Sequence, residues 1–239
     1  MTVQTRTVSY QHEGTALEGF LAWDDTQTSP RPAVIVSHAW AGRDEFPCDK
    51  ARALAELGYV GFALDMYGNA AVGNSAEENS RLMGPFMADR SLLLGRITAA
   101  LETVRRQPEA DPESIAAIGF CFGGLCVLDL ARSGADLRGV VSFHGLLNPP
   151  EPAPNARIRA KVLALHGWDD PMGTPDQVLA FTRELTEAGA DWQLHAYGHT
   201  VHAFTNPRAN DPAFGTVYKA SADRRSWAAM RDFLQEVLD

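Results

Sequence analysis

Cys121 stands in the run Gly-Phe-Cys-Phe-Gly-Gly at positions 119–124, residue types suited to nucleophilic attack. The run follows an apolar stretch, Ile-Ala-Ala-Ile at 115–118, and opens an apolar helical pattern over 125–131. Strand, sharp turn and helix in that order are the setting of a nucleophile elbow, here with cysteine where serine is usual. Small flanking residues permit a strained turn and close approach of strand to helix, which holds the thiol out at the end of a sheet. The N-terminus of the helix favours the thiolate. A free cysteine is commonly just a small buried hydrophobe, but three glycines at elbow spacing favour the nucleophile.

Such a nucleophile needs a base within hydrogen-bond reach and a third group to orient the base. A strand pattern ending at His166 is followed by Gly-Trp-Asp-Asp-Pro, which offers Asp169 and Asp170. Asp170 lies further into the loop and is preferred; Asp169 reads as a solvated neighbour or a helix cap. A strand pattern ending at Tyr197 is followed by Gly-His-Thr-Val-His-Ala-Phe, which offers His199 and His202. His202 lies deeper in that loop and is preferred over His199, a polar loop residue. The spacing of His195, His199 and His202 also suits three imidazoles on one helical face, a metal pattern. However, 192–197 reads as strand, Gly198 interrupts the pattern, and no glutamate follows the first histidine. Neither a metal nor another cofactor is expected. A tetrahedral oxyanion needs two preorganised donors. Phe122 N–H, next after the nucleophile, is one, and Trp40 N–H in the loop 38–42 is the expected other. His38 at the preceding strand end reads as structural.

The elements that must position these groups alternate along the chain. A hairpin is expected from 6–10 and 17–23 around Glu13-Gly14. Strands follow at 33–37, 59–64, 115–118, 139–143, 161–166 and 192–197. Helices are expected at 49–57, closed by Gly58, and at 76–87, 89–106, 125–131, 175–188 and 220–238. Glycines and small residues mark 65–74 as loop, and 148–154 is a proline-rich loop. Alternating strands and helices imply right-handed βαβ units in a mostly parallel sheet with helices on both faces. Ligands of such sheets bind beyond the carboxyl ends of the strands, where Cys121 falls.

A chain of 239 residues suits a single domain over 1–239, and no repeat or linker divides it. With 45% hydrophobic and 21% charged residues it has an ordinary globular composition. The net charge of -9 argues against nucleic acid or an anionic membrane as partner. The first residues lack the apolar core of a secretory signal, and no apolar run approaches a membrane span. Cys48, Cys121 and Cys126 form no disulfide framework, so a reducing cytoplasm is expected.

Taken together, the Cys121 elbow, the Asp170 loop and the His202-Ala203-Phe204 segment resemble the dienelactone hydrolase family in order and separation, over nearly the whole chain. Leu64-Asp65-Met66-Tyr67 is similar to that family's Asp-Leu-Tyr at the end of an earlier strand. The resemblance implies an α/β-hydrolase fold and a Cys121–His202–Asp170 triad hydrolysing a lactone or ester, with Tyr67 in the substrate site. It also implies a substrate carboxylate held by two arginines. Arg81 matches the first; the second falls at Asn206, with Arg208 two residues on as a substitute. The family's thiol-bonding glutamate is matched by Ala39, which removes that trigger unless a residue such as Glu45 replaces it.

The expected function is therefore hydrolysis of a small lactone or activated ester, with or without a carboxylate, through an acyl-thioester, by a monomer or small homo-oligomer. Two alternatives are a general carboxylesterase or thioesterase on the same triad, and a non-catalytic thiol-based binding protein or redox sensor on the same fold.

Overall fold

The computed structural model describes residues 2–26, 28–152 and 156–238. The chain forms two compact units, residues 1–118 and 119–239. In the first, β1 (Val3–His12) and β2 (Thr15–Asp24) make an antiparallel hairpin. Next come β3 (Arg31–Ser37), α1 (Glu45–Glu56), β4 (Val60–Ala63), α2 (Ala76–Ala88), α3 (Arg90–Arg105) and β5 (Ala110–Phe120). The strand order in this unit is β1-β2-β4-β3-β5, antiparallel at β2–β4 and parallel at β3–β4. The apolar runs of β3 and β4 are buried throughout their interiors, as parallel strands covered on both faces must be.

β5 leads the chain into the second unit, which holds α4 (Phe122–Arg132), β6 (Gly139–Phe143), β7 (Lys161–Gly167), α5 (Pro175–Glu187) and β8 (Trp192–Tyr197). A two-residue hairpin, β9 (Asn210–Asp211) with β10 (Thr216–Val217), precedes α6 (Ala220–Leu238). β6, β7 and β8 pair in that order, all parallel. The class is α/β with a large, mostly parallel sheet, as expected. Among the described residues no helix is long and apolar enough to cross a membrane.

Several boundaries differ from the sequence reading, and three early starts have a clear local reason. α1 starts at Glu45 rather than 49, because the Asp44 carboxylate caps Phe46 N–H at 3.1 Å and Pro47 is tolerated in a first turn. β5 starts at Ala110 rather than 115, its opening disguised by Asp-Pro-Glu-Ser. α4 starts directly after the cysteine, three residues before its apolar pattern becomes visible. Of the loop expected at 148–154, Ala153 and Pro154 lie outside the described residues.

Arg132 anchors the end of α4. Its guanidinium, 2% exposed, binds Glu184 of α5 at 2.6 and 2.9 Å, Asp129 at 3.1 Å and the Leu147 carbonyl at 2.6 Å. Removing one partner of a buried ion pair leaves a charge in a medium that solvates it poorly. Arg132→Ala is therefore expected to cost about 3–5 kcal/mol of unfolding free energy. A shift in the urea midpoint at constant slope measures it; a change below about 1 kcal/mol would mean the cluster is surface-like.

Candidate active site

Cys121 caps α4 with φ 56° and ψ -116°, a left-handed conformation that costs free energy in any residue with a side chain. The turn is held by Cys121 N–H donating to the Phe143 carbonyl at 3.0 Å, while Leu125 N–H donates to the Cys121 carbonyl at 3.2 Å. Glycine is obligatory on both sides. A Cβ at position 119 would lie 2.0 Å from the Gly123 oxygen, and one at 124 would lie 2.7 Å from Gly145 Cα. These close approaches explain the glycine spacing. Phe122 is the first residue of α4, in the turn whose N–H groups have no intrahelical acceptor.

The Asp170 and His202 loops are tied to each other by backbone. Trp168 N–H donates to the Tyr197 carbonyl at 2.9 Å and Asp169 N–H to the Thr200 carbonyl at 3.0 Å. Gly167 admits that approach, since a Cβ there would lie 2.5 Å from the Thr200 oxygen. The β9–β10 hairpin then clamps the histidine: His202 N–H donates to Gly215 O at 3.0 Å, and Val217 N–H to His202 O at 3.2 Å. Gly215 in turn lies against Pro171, the residue after Asp170. From beneath, the buried His166 imidazole meets the Gly173 carbonyl through Nε2 at 2.7 Å and pins the far side of the aspartate loop. Burial pulls the His166 pKa below its ordinary value.

The outcome is a buried pair. His202 Nδ1 lies 2.7 Å from Asp170 Oδ2, and both residues are 2% exposed. The other carboxylate oxygen, Oδ1, accepts Met172 N–H at 2.8 Å. His202 Nε2 is buried and makes no hydrogen bond of ordinary geometry among the described residues. It nevertheless lies close enough to Cys121 for a charge on that residue to act on it. Burial pushes the imidazole pKa down, but the Cys121 charge, the Asp170 hydrogen bond and a further side-chain interaction with Cys121 raise it to about 10. Cys121 itself is half-buried and carries a free thiol.

The two alternatives left open by sequence fall elsewhere. Asp169 and His199 face each other at 3.9 Å, but the His199 side chain is 98% exposed, where an ion pair is worth little. His195 is exposed on β8, and among the described residues no group of three metal-ligating side chains is gathered.

Trp40, Tyr67 and Arg81 belong to the first unit. Tyr67 OH donates to the Trp40 carbonyl at 2.8 Å, which joins the two expected site loops. The buried Asp65 carboxylate accepts backbone N–H groups of Tyr67 at 3.0 Å, Gly68 at 2.9 Å and Ala70 at 2.8 Å, fixing the turn that carries Tyr67. His38 is structural: Met66 N–H donates to its Nε2 at 3.2 Å, its Nδ1 meets the Ala39 carbonyl, and burial lowers its pKa to about 4. Arg81 on α2 is exposed, and so is Arg208 in the second unit. Glu45, the suggested substitute for the glutamate missing at Ala39, is exposed and ion-paired with Arg52.

Sequence reasoning missed His144 and Thr205. His144 follows β6 with φ 39°, and its ring stands 5.1 Å from that of His202. The available signal was a histidine closing the apolar run Val-Val-Ser-Phe, a polar residue at the carboxyl end of a parallel strand.

Residues 17–238 match the Dienelactone hydrolase family. A dienelactone hydrolase-like promiscuous phosphotriesterase from metagenomic libraries superposes with TM-score 0.95 at 38% identity, covering 100% of both chains. An uncharacterised protein of Caenorhabditis elegans is 38% identical over 59% of this chain and 91% of its own length. A Yersinia pestis protein with the provisional name carboxymethylenebutenolidase is 26% identical over 94% of this chain and 85% of its own.

Proposed function

The chain belongs to the dienelactone hydrolase family and is a hydrolase, and we propose that it cleaves a small lactone or activated ester with Cys121 as nucleophile, His202 as base and Asp170 as the orienting acid. The observation that carries this reading is the buried His202–Asp170 hydrogen bond, with the opposite ring nitrogen left toward a strained cysteine elbow. On this reading the domain spans 1–239, acts as a monomer or small homo-oligomer, and works in the cytoplasm, which its free thiols favour.

The Cys121 thiolate attacks the carbonyl carbon, and the carbonyl electrons move to oxygen. Phe122 N–H stabilises that oxyanion, with Trp40 N–H the proposed second donor; one such donor is worth about 3 kcal/mol. The C–O bond then breaks, the leaving oxygen takes the His202 proton, and an acyl-thioester remains. Acylation removes the thiolate charge that raised the imidazole pKa, so burial now favours neutral His202. Neutral Nε2 takes a proton from water, hydroxide attacks the thioester, and the thiolate departs. Tyr67, Arg81 and Arg208 are the proposed substrate-binding residues, the arginines toward a carboxylate.

A thiolate leaves more readily than an alkoxide, since a thiol pKa lies near about 8.5. The tetrahedral intermediate therefore reverts unless the substrate's leaving group is also good. Enol lactones and p-nitrophenyl esters are expected to turn over, and the matched alkyl ester is not. Equal kcat/KM for enol and alkyl esters would sink the selectivity. An acyl-thioester in the same panel separates a thioesterase, and a thiol alkylated at mild pH without any hydrolysis would favour the redox-sensor alternative.

The metagenomic relative's name supports a second reading for the same residues. Cys121 would attack phosphorus of a phosphotriester and expel an aryloxide, and water would then cleave the S–P bond. A p-nitrophenyl dialkyl phosphate belongs in the panel; Cys121-independent release would discard that reading.

A further inference from the structure

We propose that His144, seated by Thr205, is a positioning residue that sets the ring plane of His202. The proposal rests on the triad reading above and concerns a degree of freedom that the triad leaves open. Asp170 holds the imidazole at Nδ1, with Cys121 beyond Nε2. That direction defines an axis, and the ring still turns about it. What stops that rotation is packing against the face and edge of the ring.

His144 provides the packing. Its ring meets His202 edge-on, with centroids 5.1 Å apart and planes at 66°. Its own orientation is over-determined. Nε2 lies 2.8 Å from Thr205 Oγ1, both residues are buried, and Phe204 packs against the ring at 5.0 Å and 79°. The backbone is fixed as well, by His144 N–H donating to Leu165 O at 2.8 Å.

The geometry at this position is strained. His144 has φ 39° because the chain must turn sharply after β6 to bring Gly145 against Gly124 of the elbow helix. Strain of this kind persists only where surrounding structure enforces it, and it gathers at functional sites. The same turn that makes room for the elbow thus delivers the ring that supports the base.

Orientation of Nε2 matters twice in the reaction, toward sulfur during acylation and toward water during deacylation. A misplacement of about 1 Å costs on the order of 10²-fold in rate. His144→Ala, which removes the ring, is expected to lower kcat about 10- to 100-fold, with KM held within about twofold. His144→Phe keeps an aromatic edge toward His202 and is expected to recover kcat to within about fivefold of the parent.

Two readouts separate positioning from simple loss of structure. The rate of Cys121 alkylation by iodoacetamide at a fixed mild pH reports its pairing with His202 and is expected to fall in His144→Ala. The His202 Nδ1–H proton resonance reports the bond to Asp170 without any need for turnover, and is expected to shift in His144→Ala and return in His144→Phe. Should the alanine variant fail to fold, Thr205→Val, which releases the His144 ring, takes its place with the same expectations. An unchanged kcat, or an unmoved His202 resonance, overturns the proposal, as does an equal loss in the alanine and phenylalanine variants. If Cys121→Ala keeps full turnover, the triad reading fails, while the His202 resonance still decides the role of His144.

Discussion

Cys121→Ala is expected to lower kcat by about 10⁵- to 10⁶-fold, the scale seen when a triad nucleophile is deleted. The fold should survive, because alanine carries the same Cβ into the φ 56° turn and the glycines that permit the turn are untouched. The protein is expected to remain folded, with a cooperative unfolding transition. A second consequence separates the proposed nucleophile from a merely nearby thiol. His202 is held protonated up to about 10, with burial opposing and the Cys121 charge the largest raising cause. A histidine raised in this way contributes stability that is complete below its unfolded value of about 6.5 and fades as pH rises through about 10. In Cys121→Ala the main raising cause is gone while burial remains. The imidazole is then expected to titrate well below its parent value, read by NMR of the ring protons. Substantial turnover in this variant would overturn the nucleophile assignment, and an unchanged His202 titration would mean the thiolate is not its partner.

Asp170→Asn is expected to lower kcat/KM by about 10⁴-fold without unfolding the protein, because it corrupts the histidine tautomer. The structure dictates how. Asp170 Oδ1 is occupied by Met172 N–H at 2.8 Å, so an asparagine keeps its oxygen there and turns its NH₂ toward His202 Nδ1. An amide N–H donated to Nδ1 leaves the ring proton on Nε2, the atom that takes a proton from the thiol or water in the proposed mechanism. The substitution also removes one of the causes that raise the imidazole pKa. Asp169→Asn is the control, expected to change kcat/KM by no more than about twofold, since Asp169 pairs only with an exposed histidine. Steady-state kinetics on a p-nitrophenyl ester measures both. Comparable losses in the two variants would remove Asp170 from its proposed role.

The contrast between these adjacent aspartates shows where sequence reasoning stops. The Asp-Asp pair and the two loop histidines are plain in the chain, and position within each loop favoured Asp170 and His202. Yet the contacts that bury one pair and expose the other are long-range. They come from Gly167 lying under the Thr200 carbonyl and from the β9–β10 hairpin drawing His202 toward Pro171. Two-residue strands leave no periodic signal, so the hairpin was not legible.

The Cys121 elbow shows the opposite case. Its requirements are local: glycines where a Cβ would strike backbone, an apolar strand before and a helix after. Local sterics are written in residue types, and the α/β class, the strand and helix order and the nucleophile candidate could therefore be read from the chain alone. Bounds of α1 and β5 were less visible, because a cap and a polar strand opening carry little hydrophobic pattern. His144 was invisible as a partner of His202, 58 positions away in a chain of 239 residues. That pairing exists only because the β6 and β8 strands lie on either side of β7, so that loops distant in sequence leave the sheet side by side. Hydrophobic periodicity and turn chemistry specify elements, whereas close packing and directional hydrogen bonds between their ends decide which titratable groups meet.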